Sequence, residues 1–235
     1  MNTEEEKLLA MFNANKISAS DYQMLIAAIN KKSFCTQIEN SWLVNPFQVI
    51  AGYEALFLGL VLIIVMSLIG TYAEVYFDGI LGFITPYNLI AMKPNFLLLI
   101  YQNSVAWLVL ACTFYVTALL LRQKNQRIID FLGTVSLARF PILIPLIFTA
   151  FQKYWSPNLF KAEDLSKGVE LHLNVTNTLG WLVMMGSLAW ILMTYLFAFK
   201  ESSGAEGRKL WIGYITSIVI GNILAMILTR WFLFV

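Results

Sequence analysis

The sequence predicts an all-α polytopic membrane protein, with five transmembrane helices following a small N-terminal cytoplasmic helical hairpin. Three observations predict it. Five apolar stretches between about Phe47 and Val235 are each long enough to cross a bilayer. The cleanest, Ala55 to Ala73, reads ALFLGLVLIIVMSLIGTYA without one charged residue. A helix rises about 1.5 Å per residue, so roughly 20 apolar residues span the hydrocarbon core. Composition agrees: of 235 residues 59% are hydrophobic and 13% charged, about half the charged share of a soluble domain, and the mean hydropathy is +0.69. Seven Trp and ten Tyr supply the amphipathic rings that collect at membrane interfaces.

The net charge of +2 is too small to point to nucleic acid. Cys35 and Cys112 make neither a disulfide framework nor a metal site, and Cys112, inside an apolar run, is expected to pack as a small hydrophobe. The N-terminal MNTEEEKLLAMF is acidic and has no basic stretch leading into an apolar core, so no signal peptide is expected.

Residues 1–43 read as a soluble unit. Glu4, Glu5 and Glu6 occupy a first helical turn, where carboxylates favour the positive end of the helix dipole, and Leu8, Leu9 and Phe12 form an apolar stripe. Asn13-Ala-Asn15 breaks that helix. Ser18-Ala-Ser-Asp21 starts a second as a capping-box variant, with Ile17 and Tyr22 placed as a hydrophobic staple. Two helices, about 3–13 and 19–30, are expected to pack as a hairpin. So small a unit buries little apolar surface alone, which points to a copy of itself, a partner or the membrane domain as its support.

The membrane domain, 44–235, follows Asn45-Pro46-Phe47. Its spans are expected at about 48–73, 96–121, 128–154, 174–199 and 210–233. Residues 74–95 join the first two as an apolar loop with Gly79, Gly82 and Pro86, either lying in the interface or re-entering the bilayer. The third span contains Arg139, Pro141 and Pro145; proline inside a span removes a backbone bond and kinks the helix. A polar loop, 152–173, precedes the fourth span. Orientation follows from Lys and Arg. Lys7, Lys16, Lys31, Lys32, Arg122, Lys124, Arg127, Lys200, Arg208 and Lys209 fall on one side, and Lys93, Lys153, Lys161 and Lys167 on the other. Ten against four favours a cytoplasmic N-terminus and a C-terminus on the opposite side.

Several residues invite a functional reading. Gly213, Ser217, Gly221, Ala225 and Thr229 recur every fourth position in span five, a small-residue ladder that lets a neighbouring helix come close. That neighbour is either another helix of the bundle or a second subunit. Asn222 lies near the midplane beside the ladder, and a buried amide there needs a partner. Glu54 and Arg139 fall toward the cytoplasmic ends of spans one and three. They either snorkel to water, pair inside the bundle, or line an ion path. An ionisable group within a span costs on the order of 2.5–3.5 kcal/mol on insertion scales, so it calls for a partner or a task. Gln102, Asn103 and Ser104 in span two, with Asn177 in span four, either bond between helices or line a small cavity. Glu74 and Asp78 sit one helical turn apart at the outer end of span one. Paired carboxylates can bind a cation or do acid–base work, and a solvated helix end is the simpler reading. A single histidine, His172, cannot supply an H-E-x-x-H zinc site, and neither a nucleophile elbow nor a phosphate-binding glycine loop is present. No cofactor or metal is expected. The sequon Asn174-Val-Thr176 has meaning only in a secretory pathway.

Residues 45–233 resemble the Yip family (the Ypt-interacting type) of integral membrane proteins in its bacterial form. The resemblance lies in NPFQVIAGYEALFLGL, YFDGILGF, the proline-bearing ARFPILIPLI, and FAFKESSGAEGRKLWIGYITSIVIGNILAMIL, and covers about four-fifths of the chain. It implies five transmembrane helices and a cytoplasmic N-terminus. Eukaryotic members carry a D-L-Y-G-P motif and bind small GTPases; the motif is absent here, so GTPase binding is not carried over. Residues 4–30 resemble helical modules of the SHOCT type through Lys16-Ile17-Ser18 and Tyr22-x-x-Leu25, which implies an oligomerisation or docking piece. The expectation is a non-enzymatic scaffold or accessory subunit of the bacterial inner membrane, embedded in lipid. It would associate with itself or with an export or envelope system. The alternatives are a small transporter or channel using Glu54, Arg139, Asn222 and the span-two amides, and a membrane-embedded lipid or envelope enzyme using Glu74 and Asp78.

Overall fold

The computed structural model describes residues 3–14, 17–18, 20–26, 41–81, 85–86, 93–122, 126–155 and 175–234. It divides into two units, Met1–Pro46 and Phe47–Val235. In the first, α1 (Thr3–Asn13) is followed by α2, described over 20–26. The turn between them is built as its residue types dictate. The Asp21 amide donates to Ser18 Oγ at 3.2 Å, and Ser18 Oγ donates to the Asp21 carboxylate at 2.6 Å. Phe12 of α1 stacks on Tyr22 of α2 with ring centroids 4.7 Å apart. The expected continuation of the second helix to about residue 30 lies outside the described residues, as does Cys35.

The second unit holds five spans: Gly52–Ala73, Phe96–Leu120, Ile128–Trp155, Leu179–Ser203 and Gly207–Arg230. They are built from α3 (Gly52–Ala73), α4 (Phe96–Leu120), a broken third span, α7 (Val175–Ser203) and α8 (Gly207–Phe234). α3 packs on α5 (Ile128–Leu137) and α4, and α4 packs on α8. The outward faces remain apolar. Phe57, Val61, Ile64 and Leu68 of α3, and Ile215, Val219, Ile223 and Ile227 of α8, are exposed. That is the expected surface when lipid is the solvent. Cys112 also faces outward as a free thiol, so it does not pack inside the bundle as expected. Its position on α4 turns it away from the buried stripe Leu99, Asn103, Ala106, Leu110 and Phe114.

The third span is α5 (Ile128–Leu137), a 3-10 turn at Phe140–Ile142 and α6 (Leu143–Trp155). Pro141 has no N–H to give, so the helical ladder fails there. The break is supported from α7: Thr194 Oγ1 donates to the Ala138 carbonyl at 2.8 Å. A carbonyl freed in a hydrocarbon-bounded interior thus regains a partner.

One connection is not a surface loop. After Glu74, which ends α3 in the left-handed region at φ 55°, the chain forms β1 (Val75–Tyr76), paired antiparallel with β2 (Thr85–Pro86). Val75, Tyr76, Phe77 and Ile80 are buried. Residues 75–81 thus re-enter the helix bundle rather than standing off its surface.

Candidate functional site

Three buried helices converge on the break in the third span. Arg139, 1% exposed, leaves the chain between α5 and the 3-10 turn. Its Nη2 donates to Asn103 Oδ1 of α4 at 2.8 Å. Asn103 Nδ2 donates in turn to Ser67 Oγ of α3 at 3.1 Å. Ser67 Oγ donates to the Ile63 carbonyl at 2.8 Å. The result is a directed chain of bonds from a guanidinium through an amide and a hydroxyl to a backbone carbonyl, crossing three helices. Tyr195 of α7 is fully buried. Among the described residues, Arg139 Nε and Nη1 and the Tyr195 hydroxyl have no hydrogen-bond partner. Arg139 lies eleven residues into a 28-residue span, near its middle.

Of the alternatives open for Glu54 and Arg139, the pair inside the bundle does not form. Glu54 is exposed in the first turn of α3 and makes no ion pair with Arg139. Nor does Arg139 snorkel to an interface: the helix break turns it inward instead.

The second polar feature holds the re-entrant segment. The Phe77 amide donates to Gln102 Oε1 at 3.1 Å. The Ile80 and Leu81 amides donate to one acceptor, Asn222 Oδ1 of α8, at 3.0 Å and 3.2 Å. Gln102 lies six residues into α4 and Asn222 eight residues short of Arg230. At a helical rise of 1.5 Å these contacts lie roughly 9 and 12 Å inside the helix ends. Irregular backbone at such depth needs its N–H groups satisfied by protein, and Gln102 and Asn222 do this for Phe77, Ile80 and Leu81. Gly79 is needed at its place twice over. Its φ is 69°, and an added Cβ would meet Asn222 Oδ1 and the Met226 side chain at 2.8 and 2.7 Å. The span-two amides Gln102 and Asn103 therefore hold backbone and charge. Asn177 lies in α7, and its side chain is outside the described residues.

The ladder of α8 faces inward. Gly213, Ser217, Gly221, Ala225 and Thr229 are all buried. A Cβ at Gly213 would meet Phe199 and Leu121, and one at Gly221 would meet Thr113 Oγ1 and Ile80 at 2.9 Å. Ser217 Oγ donates to Thr117 Oγ1 of α4 at 2.8 Å. In this chain the close approach is between helices of one bundle.

Glu74 and Asp78 each have cationic partners of their own. Glu74 faces Lys153 at 3.3 Å and Lys93 at 3.9 Å. Asp78 takes a two-pronged bond from Arg230, with Nε at 3.1 and 3.2 Å. These ion pairs tie α3, α6 and α8 together at the end where α3 finishes. The residue that sequence reasoning missed is Ser67. It is unremarkable within its apolar run, and only the inward turn of Arg139 gives it meaning. His172 and the sequon residue Asn174 lie outside the described residues. Among the described residues no three His, Cys, Asp or Glu side chains come together as metal ligands.

Fold and site define a five-span α-helical membrane protein with a buried arginine layer next to a re-entrant segment. Comparison with protein-family models, with curated proteins and with solved structures finds no match.

Proposed function

We propose that this chain is a non-catalytic scaffold or accessory subunit of a bacterial inner membrane, with its N-terminus in the cytoplasm and its C-terminus on the opposite side. One observation carries the reading. The intramembrane amides predicted as candidate pathway residues, Gln102, Asn103 and Asn222, each bond to this chain's own backbone or side chains. A conduction path needs polar groups left over to replace a solute's water; a scaffold needs them consumed in fixing its shape. The two outer carboxylates are likewise held by cations. The resemblances of 45–233 to bacterial Yip-type proteins and of 4–30 to SHOCT-type modules supply the rest. A small helical hairpin with exposed Leu9, Met11, Met24 and Leu25 has apolar surface to offer a second copy or a partner.

Crosslinking in intact membranes followed by mass spectrometry tests the reading. The expected result is a set of intermolecular crosslinks from the hairpin to a second copy or to another membrane protein. Crosslinks confined to a single chain would overturn it. Solute flux in reconstituted vesicles that vanishes in Asn222→Ala would replace it with a transporter.

A further inference from the structure

We infer that the end of the bundle where α4 finishes and α8 begins is a docking surface for the headgroups of anionic phospholipids, centred on Arg122, Arg208 and Lys209. The placement follows from the α4–α8 seam. A Cβ on Gly213 would meet Leu121 at 2.7 Å, so the first turns of α8 stand against the end of α4. Lys209 lies four residues before Gly213, one turn further along the same helix face, and Arg122 directly follows Leu121. Their charges therefore gather just beyond the seam, where α4 has ended. Arg208 lies on the neighbouring face of α8. One turn from it come Trp211 and Ile212, 53% and 49% exposed, and a turn below them Ile215, 55% exposed. On this face a cation stands above an amphipathic ring, and the ring above an apolar row. That order matches a phospholipid read from its phosphate, through the interface, to its acyl chains.

Charge is left open at this end and not at the other. Arg122, Arg208 and Lys209 are exposed, and among the described residues none of them forms an ion pair. Glu206, the carboxylate nearest Arg208 in sequence, is exposed and does not pair with it. At the opposite end Lys153 and Arg230 are taken up by Glu74 and Asp78. Helix stability does not account for Arg208 and Lys209, because the dipole disfavours cations in a first turn. Cations beside a bilayer gain from anionic headgroups, and a guanidinium meets phosphate oxygens through paired, charge-assisted bonds. An acidic protein would answer the charge alone. A lipid answers the charge and the apolar row beneath it.

The test uses the full chain in nanodiscs of phosphatidylglycerol and phosphatidylcholine mixed in equal parts. Lipids that stay with the protein on release from the disc are counted by native mass spectrometry. The expected result is enrichment of phosphatidylglycerol over phosphatidylcholine. Arg208→Gln combined with Lys209→Gln should lower that enrichment about tenfold, since each cation at a charged membrane surface adds a severalfold preference. Arg122→Gln, made separately on α4, should lower it severalfold. Lys93→Gln removes a charge at the other end of the bundle, where Lys93 is 74% exposed, and should leave the enrichment unchanged. Equal retention of the two lipids by the parent chain would overturn the proposal. So would an enrichment that survives in either α4 or α8 variant, or one that Lys93→Gln lowers as much per charge removed, because retention would then follow net charge and not this surface.

Discussion

Arg139 Nη2 and Asn103 Oδ1 lie 2.8 Å apart in the closed interior of the bundle, and with the bond from Trp107 Nε1 to the Leu132 carbonyl at 2.8 Å they join the broken third span to α4. Asn103 is saturated from both ends, accepting from Arg139 and donating to Ser67. Asn103→Leu removes the acceptor and leaves the guanidinium without any described partner. Breaking a buried charged contact from one side costs about 3–5 kcal/mol, so this variant should lose most of its stability. Asn103→Asp should be far milder, since it exchanges an amide for a counter-charge of nearly the same shape. Equilibrium unfolding in mixed micelles checks the pair, and equal losses in both would refute the assignment of Asn103 to the charge.

Gly221 makes the corresponding case for shape. A Cβ there already meets Thr113 Oγ1 and the Ile80 side chain at 2.9 Å, so Gly221→Leu must push α8 away from α4. Overpacking a close-fitted interface costs about 1–3 kcal/mol, sometimes more. The upper end is expected here, because lipid supplies no hydrophobic drive to hold displaced helices together. Val219→Leu, two residues earlier on the exposed face, should change stability by less than about 0.5 kcal/mol. Comparable losses at both positions would remove the ladder's role in packing α8 on α4.

The bundle was legible from its sequence because hydrocarbon imposes a simple code: apolar length gives the spans, and Pro141 and Pro145 mark the broken one. The ladder from Gly213 to Thr229 could be read because its period is local. What was hidden is long-range. Asn222 meets Ile80 across 142 positions, and Arg230 meets Asp78 across 152. No periodicity in a single sequence links such residues. Gln102 and Asn222 also bond to backbone amides, which have no side-chain signature to read. The one available signal was the composition of VYFDGILGF, too apolar for a wet loop. For Arg139 the sequence leaves open whether it snorkels, pairs or lines a path, because its burial depends on the 3-10 turn beside Pro141 and on its bond to Asn103 of another helix.

The Arg230–Asp78 pair should matter little to stability despite its two-pronged geometry. Its side chains are 49% and 26% exposed, and ion pairs in that setting contribute about 0–1 kcal/mol. Asp78→Asn should therefore lower stability by no more than about 1 kcal/mol. The difference from the parent protein should shrink in 1 M salt, where the screening length falls to about 3 Å. A large loss that persists in high salt would mean that Asp78 has a task beyond this pair.

Gly79 and Gly204 separate two effects that usually come together. Both have positive φ, 69° and 64°, but an added Cβ at Gly79 meets Met226 and Asn222, whereas at Gly204 it meets nothing within 4 Å. Gly204→Ala should cost about 1–2 kcal/mol, the left-handed penalty alone. Gly79→Ala should cost that and about 1–3 kcal/mol of overpacking. Matched unfolding measurements that give equal losses would contradict the close seating of the re-entrant segment on α8.

Asn222 holds that segment through a single oxygen that accepts from both Ile80 and Leu81. Asn222→Ala strands two amides at a depth that water does not readily reach. Each unsatisfied buried donor costs about 1–3 kcal/mol. These two are partly buried, so a total near 2 kcal/mol is expected, at the low end of that scale. The sharper measurement is hydrogen exchange, because local opening raises exchange only where protection is lost. In Asn222→Ala, exchange should quicken at Ile80 and Leu81 while Phe77, held by Gln102, stays protected. In Gln102→Leu the pattern should reverse. If either variant loosens all three amides together, the segment opens as one unit and the two side chains are not separate clasps. If neither changes exchange, the segment is held by its apolar contacts, with Val75, Tyr76 and Phe77 buried on the bundle, and the amides of α4 and α8 are incidental to its seat.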